Sequence, residues 1–241
     1  MMTYLINYAH RTHTNAQKRN SKTGLEVAGF DQVIEFGYQH LDPSFRAKNH
    51  AILSQARGAG YWLWKPYIIW LTLANLPLDS IVFYCDSGAE FIGSARESID
   101  LLQSIDQPIL CYEHAGYHYE EKWTKGDTFS LMGYTPQKRI QMSASYIMIR
   151  NNDTARQFAV EWLSYCEDAR ILTDLPSQYP NDSSFVDHRH DQAVYSILCH
   201  QYNFDSFRDP SQWGAKLHET PKEILLRSTY TTWICNERKR D

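Results

Sequence analysis

No apolar run in the 241-residue chain reaches the roughly 18 residues that a membrane-spanning helix needs. The first apolar segment, Tyr4 to Ala9, is too short and too polar for a signal peptide, so the expectation is a cytoplasmic protein without a transmembrane segment. Cysteine is sparse: Cys85, Cys111, Cys166, Cys199 and Cys235 are widely spaced, with no close pair of ligand type. They read as free thiols in a reducing compartment. Positive charge is also short, because 24 basic residues against 28 acidic ones leave a net charge of -4. Such a chain has no general attraction for a polyanion, and no nucleic-acid partner is expected. Phosphate-binding fingerprints are missing too. Gly58-Ala-Gly60 lacks the Lys-Ser/Thr ending of a phosphate loop and the spacing of a dinucleotide motif, and no Gly-x-Ser-x-Gly elbow occurs. Nor is there a repeat, a low-complexity tract or a linker that would force a second domain.

Aromatic residues are abundant: 16 Tyr, 10 Phe and 7 Trp. Many must be core, but such rings also build stacking faces for sugars and bases. Short apolar runs at Tyr4 to Ala9, Val33 to Phe36, Ile81 to Cys85, Ile109 to Tyr112 and Ala144 to Arg150 read as strands, with a late one between Asn203 and Arg208. The run Ile81 to Cys85 does not alternate, which marks a central strand covered on both faces. Between the strands lie helical signals. Asp42 with Pro43 starts one running to about Arg57, Pro66 opens a buried one to Asn75, and Ser94 to Ser104 is a surface helix. Asn152 or Asp153 caps another, with Phe158, Trp162 and Cys166 at helical spacing. The polar run His10 to Lys22 and the stretch Ile171 to Asp187 read as loops, the second long enough to be a binding lid. Trp123 to Gly133 is open between helix and structured loop. Trp213, His218 and Trp233 read as irregular packing.

Asp86 follows the central strand, where open α/β sheets hold polar ligands. A carboxylate there can bind a divalent ion, and Ser87-Gly88 lets a diphosphate approach the backbone; the plainer reading is a turn cap. In His188-Arg-His-Asp-Gln192, Asp191 and Gln192 can orient sugar hydroxyls, while His188 and His190 can act as acid or base; a cap and solvated histidines are the alternative. His218 is a candidate distal metal ligand or an ordinary histidine. Arg11, His13, Lys18 and Arg19 can neutralise phosphates, as can Lys65, which is flanked by Tyr61, Trp62 and Trp64.

Three blocks together, Gly60-Tyr-Trp-Leu-Trp-Lys-Pro66, Tyr84-Cys-Asp-Ser-Gly-Ala-Glu90 and Phe185-Val-Asp-His-Arg-His-Asp-Gln192, with Trp123-Thr-Lys-Gly-Asp-Thr-Phe129 as a fourth, span most of residues 1–200. In this combination the chain resembles nucleotide-sugar transferases of the GT-A fold found among genes for bacterial surface polysaccharides. The resemblance implies a single compact α/β unit. It would have a Rossmann-like, mostly parallel sheet flanked by helices, with a nucleotide-binding half over about residues 1–110 and an acceptor-side half over 111–241. In that fold an Asp-x-Asp at the end of a strand commonly holds Mn²⁺ or Mg²⁺ on the donor diphosphate. Asp86 stands at the first acidic position and Gly88 replaces the last. Three arrangements are therefore open: Asp86 with His218 and water, a contribution from Glu90, or basic side chains in place of the ion.

The activity so implied is transfer of a sugar from a nucleoside diphosphate sugar to a glycan or glycolipid hydroxyl. Arg11, Lys65, Asp86, Ser87 and Gly88 would hold the donor, and Asp86 and His218 the metal. Asp191 and Gln192 would sit at the reaction centre, and Asp127 with the 171–187 loop on the acceptor side. Asp127 or Asp191 would be the base if the configuration inverts. An inactive binding module and a hydrolase are the competing readings. The basic residues between Glu237 and Asp241 can touch an anionic membrane surface, a solvated tail being the plainer alternative.

Overall fold

Unbroken β-branched and aromatic runs build the sheet, as their patterning predicts. In the computed structural model, which describes residues 1–10, 13–114, 116 and 118–237, the strands are β1 Thr3–Ala9, β2 Gln32–Gly37, β3 Ile81–Cys85, β4 Glu90–Phe91, β5 Ile109–Glu113, β6 Tyr146–Arg150, β7 Ser206–Arg208 and β8 Ile234–Cys235. Six of them form one sheet in the order β2-β1-β3-β6-β5-β7, and β4 pairs with β8 apart from it. β1 is parallel to β2 and β3, and β5 to β7; β6 alone runs against its neighbours β3 and β5. The sheet is therefore largely parallel, and every side chain of β3 is buried.

Alternation along the strands divides the core between the two faces. Ile6, Val82 and Tyr84 join one cluster beneath helices Trp64–Asn75, Asp153–Cys166 and Asp191–Gln201. Leu5, Phe83 and Ile81 join the other, with Ile99, Phe91 and Trp233. The result is the α/β fold expected, a central sheet flanked by helices. Asn152 caps the Asp153–Cys166 helix by accepting from the Ala155 N–H, and Asp42 caps Pro43–Lys48 through the N–H groups of Ser44 and Phe45.

Several local expectations change. Most of the run expected as a loop from His10 to Lys22 is helical: the helix Thr14–Thr23 continues as a wider turn over Gly24–Ala28. Its inward face is polar, so apolar periodicity could not reveal it. Gln17 and Asn20 bond to Asn7 on β1, and the Asn20 amide donates to the Ala89 carbonyl at 2.9 Å. The helix starting at Pro43 stops at Lys48, and a turn His50–Leu53 follows. Residues 58 to 62 all have left-handed φ, including Ala59, Tyr61 and Trp62. At Gly60 a Cβ would lie 2.7 Å from the Leu53 Cα, so glycine is required by space as well as by φ. Trp123 to Gly133 contains a short helix, Gly126–Leu131. Trp233 is core, its indole N–H bonded to Ser98. Arg11 and the residues from Arg238 to Asp241 lie outside the described residues. Among the described residues, no helix is long and apolar enough to cross a membrane.

Candidate functional site

A cleft of about 600 Å³ opens where β1 and β3 end. On its floor the chain turns sharply after β3: the Asp86 N–H donates to the Ser145 carbonyl, and the Ala89 N–H to that of Asp86. Ser87 Oγ donates to the Tyr8 carbonyl at 2.6 Å, tying the turn to β1. Ser87 and Gly88 both line the cleft. The Tyr84 hydroxyl donates to Asp86 Oδ1 at 2.6 Å. Burial, followed by the charge of Asp86, holds the Tyr84 phenol well above its ordinary pKa, so it remains a donor.

Lys65 enters from the first turn of the Trp64–Asn75 helix and is buried, 3% exposed. Its Nζ lies 2.8 Å from Asp191 Oδ2, 3.8 Å from Asp86 Oδ1 and 3.0 Å from the Ala144 carbonyl, to which it donates. Burial opposes the ammonium charge, but Asp191 and then Asp86 outweigh it, and the pKa of Lys65 rises. Burial pushes Asp191 up to about 6, against the pull of Lys65. The floor thus holds the Lys65 ammonium between the side chains of Asp86 and Asp191, of which Asp86 is the more exposed. Gln192 donates from Nε2 to Gln141 Oε1, while its Oε1 lies 3.0 Å from His114 Nε2 and 3.4 Å from the Ala144 N–H that donates to it. The Trp64 ring stacks on Tyr8 with centroids 3.9 Å apart, which uses that indole for packing at the cleft wall.

Lys65, Asp86, Ser87, Gly88, Asp191 and Gln192 therefore converge on one cleft. Two other expected site residues do not. Asp127 lines neither cavity. It is 2% exposed, and its Oδ1 accepts the N–H groups of Gln178 and Tyr179 at 2.7 and 2.8 Å. A carboxylate spent on two backbone donors shapes the 171–187 loop and is not positioned as a base. His218 lines a second cavity of about 700 Å³ with Glu113, His114, His118 and Glu219, and its side chain is 81% exposed. It is not brought to the cleft that Asp86 lines. His188 is buried away from the cleft, one ring nitrogen 2.8 Å from the Ile171 carbonyl.

These placements bear on the divalent ion that the fold family implies. Asp86 Oδ1 already takes the Tyr84 hydroxyl and faces Lys65, Gly88 offers no ligand side chain, and His218 is elsewhere. Among the described residues no group of three or more His, Cys, Asp or Glu side chains could hold a metal. Asp86 and His218 therefore line different cavities and are not brought together as the expected ligand pair.

Pattern reading missed the role of Arg57. Its guanidinium lines the cleft and bonds Asp174 at 3.0 and 3.2 Å and Asp187 at 2.7 Å, joining both ends of the long loop. The only sequence signal was its position immediately before the Gly58 to Trp62 segment.

No protein-family model matches the chain. Among curated proteins, alpha-humulene/(-)-(E)-beta-caryophyllene synthase of Arabidopsis thaliana is 25% identical over 135 residues, 46% of this chain. The chain spans 25% of that protein's length, and the match assigns no family. Solved structures are similar over nearly the whole chain. Mouse xyloside xylosyltransferase 1, in its apo form, aligns with a TM-score of 0.53 at 10% identity, covering 98% of this chain and 96% of that one. Galactosyltransferase LgtC, in complex with donor and acceptor sugar analogs, aligns with a TM-score of 0.50 at 12% identity, covering 97% and 86%. At such identities the likeness is one of fold. The chain shares the α/β fold of these two transferase structures, and the likeness assigns it to no family.

Proposed function

We propose that this chain transfers a sugar from a nucleoside diphosphate sugar to a hydroxyl of a glycan or glycolipid acceptor. The observation that carries this reading is the buried Lys65 ammonium held between Asp86 and Asp191 on the floor of the cleft, at the carboxyl end of β3. Open α/β sheets bind their ligands at that edge. The turn Asp86-Ser87-Gly88 would receive the diphosphate against its backbone. Lys65 would stabilise the negative charge that develops as the bond from the anomeric carbon to the diphosphate oxygen breaks and its electron pair passes to the phosphate. Asp191 and Gln192 would bind sugar hydroxyls beside that carbon. The acceptor oxygen forms the new bond and gives up its proton, to the departing phosphate if attack is from the front face.

A screen of nucleotide sugars by calorimetry, with and without Mn²⁺, tests the reading on the intact protein and on Asp86→Ala. Binding of one sugar nucleotide that weakens at least tenfold in the variant supports it. Absence of binding to every nucleotide and nucleotide sugar under both conditions would sink it. Gly88 at the second acidic position favours one alternative, a sugar-nucleotide-binding module without turnover. Acceptor-dependent release of the nucleoside diphosphate distinguishes the two.

A further inference from the structure

His190 has no part in the donor end of the cleft, yet it is unusually constrained. It lines the cleft, is 1% exposed, and adopts φ 50°, ψ -121°, a backbone conformation that residues with a Cβ avoid. Strain of this kind persists where the surroundings enforce it and concentrates at binding sites. The surroundings here are Tyr61 and Trp62, whose rings lie 4.9 and 5.5 Å from the imidazole, Trp62 in a stacked orientation. Nδ1 lies 2.8 Å from the Leu172 carbonyl, a partner that can only accept, so Nδ1 carries the hydrogen. Nε2 is then a lone pair, and it is buried with no hydrogen-bond partner among the described residues. An orphan acceptor in a protein interior is costly unless something comes to satisfy it.

Asp174 Oδ1 lies 3.8 Å from Nε2, too far for a hydrogen bond. That carboxylate is anchored by Arg57, which also holds Asp187, and the His188 ring lies 5.0 Å from that of His190. Burial lowers the pKa of His190 first and Arg57 lowers it further, against the Leu172 carbonyl, Asp174 and Asp187, and the net direction is down. The imidazole is neutral at pH 7. Two acceptors, a ring nitrogen that lines the cleft and a partly exposed carboxylate oxygen 3.8 Å from it, thus stand side by side, and neither can donate to the other.

We infer that His190 Nε2 and Asp174 bind neighbouring hydroxyls of the acceptor, each accepting one hydrogen, so that the acceptor is a saccharide carrying a vicinal diol. This rests on the transferase reading and deepens it. His190 is a substrate-binding residue here, with no proton transfer assigned to it.

The test uses the intact protein labelled with ¹⁵N-histidine, with a nucleoside diphosphate present, and reads the ring nitrogens by NMR at pH 7. The probes are methyl glucoside, galactoside and mannoside and their analogues deoxygenated at one diol position. The His190 imidazole is expected as the neutral Nδ1–H tautomer, with Nε2 shifting when at least one glycoside is added. His190→Asn keeps a donor for Leu172, tolerates positive φ and removes Nε2. It should bind that glycoside about tenfold more weakly, or 1.4 kcal/mol, with nucleotide affinity unchanged. The deoxygenated glycoside should lose the same factor with the unaltered protein and nothing further with the variant. A doubly protonated ring at pH 7 would mean a plain ion pair with Asp174 and would overturn the inference. So would glycoside affinity that the variant leaves intact. Nucleotide binding without any glycoside response overturns it while sparing the transferase reading; if neither ligand binds, both fall.

Discussion

Lys65 and Asp191 form a buried ion pair with Nζ and Oδ2 2.8 Å apart, both side chains 4% exposed. It joins the first turn of one helix to the first turn of another across the top of the sheet. Removing one partner strands the other charge in a low-dielectric site, which typically costs about 3–5 kcal/mol. Lys65→Ala should lower stability by about that amount in urea titrations. The double replacement Lys65→Met with Asp191→Leu should recover most of it while leaving nucleotide-sugar binding lost. Recovery of binding in the double variant would contradict the role given to the pair.

Asp127 should prove a loop anchor. Asp127→Ala leaves the N–H groups of Gln178 and Tyr179 without their acceptor. A cost of about 1–3 kcal/mol is expected. Faster amide exchange and proteolysis should be confined to the 171–187 loop, with nucleotide affinity kept. Uniform acceleration over the whole chain would speak against this local role.

Acid should weaken the fold through His118. Burial, then His114, Arg189 and Lys122, lower its pKa from 6.5 to about 4. A folded value below the unfolded one gives a contribution present above the unfolded value and lost as pH falls from about 6.5 towards 4. Asp191 has the opposite sign: its folded value near 6 makes its contribution full below the ordinary carboxylate range and lost as pH rises towards 6. His118→Gln should therefore flatten the acid limb of stability against pH, read as urea midpoints between pH 4 and 7. An unchanged limb would exclude His118 as its source.

Asn20 links three elements. It accepts from Asn7 on β1 at 2.8 Å and donates to the Ala89 carbonyl in the turn after Asp86. Asn20→Leu is nearly the same size but takes one acceptor from the Asn7 amide and the donor from the Ala89 carbonyl inside the protein. A loss of about 1–3 kcal/mol is expected in thermal or urea unfolding, with weaker nucleotide-sugar binding because the Asp86 turn loosens. A variant as stable as the parent would show that water replaces both bonds.

These same residues show what could be read before the structure. Strand positions followed from β-branched and aromatic runs, and β3 was legible as central because nothing in Ile81 to Cys85 is polar. Asp42 was legible as a cap, and the next cap was narrowed to Asn152 or Asp153, because capping is a short-range relation between a side chain and N–H groups two or three residues on. The Thr14–Thr23 helix was not, since its buried face is made of amides and hydroxyls that pair with Asn7 and imitate a solvated segment. In the site, Asp86, Lys65, Asp191 and Gln192 could be nominated by type and neighbourhood. Their contacts could not, because tertiary packing brings together positions far apart in the chain. Asp127 and His218 were nominated on the same grounds, and nothing local in the chain tells that the carboxylate is occupied by backbone N–H groups or that the histidine lies on another cavity.

Arg57 gathers Asp174 and Asp187 onto one guanidinium. In polymer terms this is a reversible cross-link that turns the intervening chain into a closed ring rather than a tethered strand. The entropy of closing a ring rises only with the logarithm of its length. Away from Gln178 and Tyr179, which Asp127 holds, the segment between the two acids can therefore gain or lose residues at little thermodynamic cost, provided that both acids remain. Such a ring can change its contour, and with it whatever it encloses, while the helices that carry Lys65 and Asp191 stay where they are.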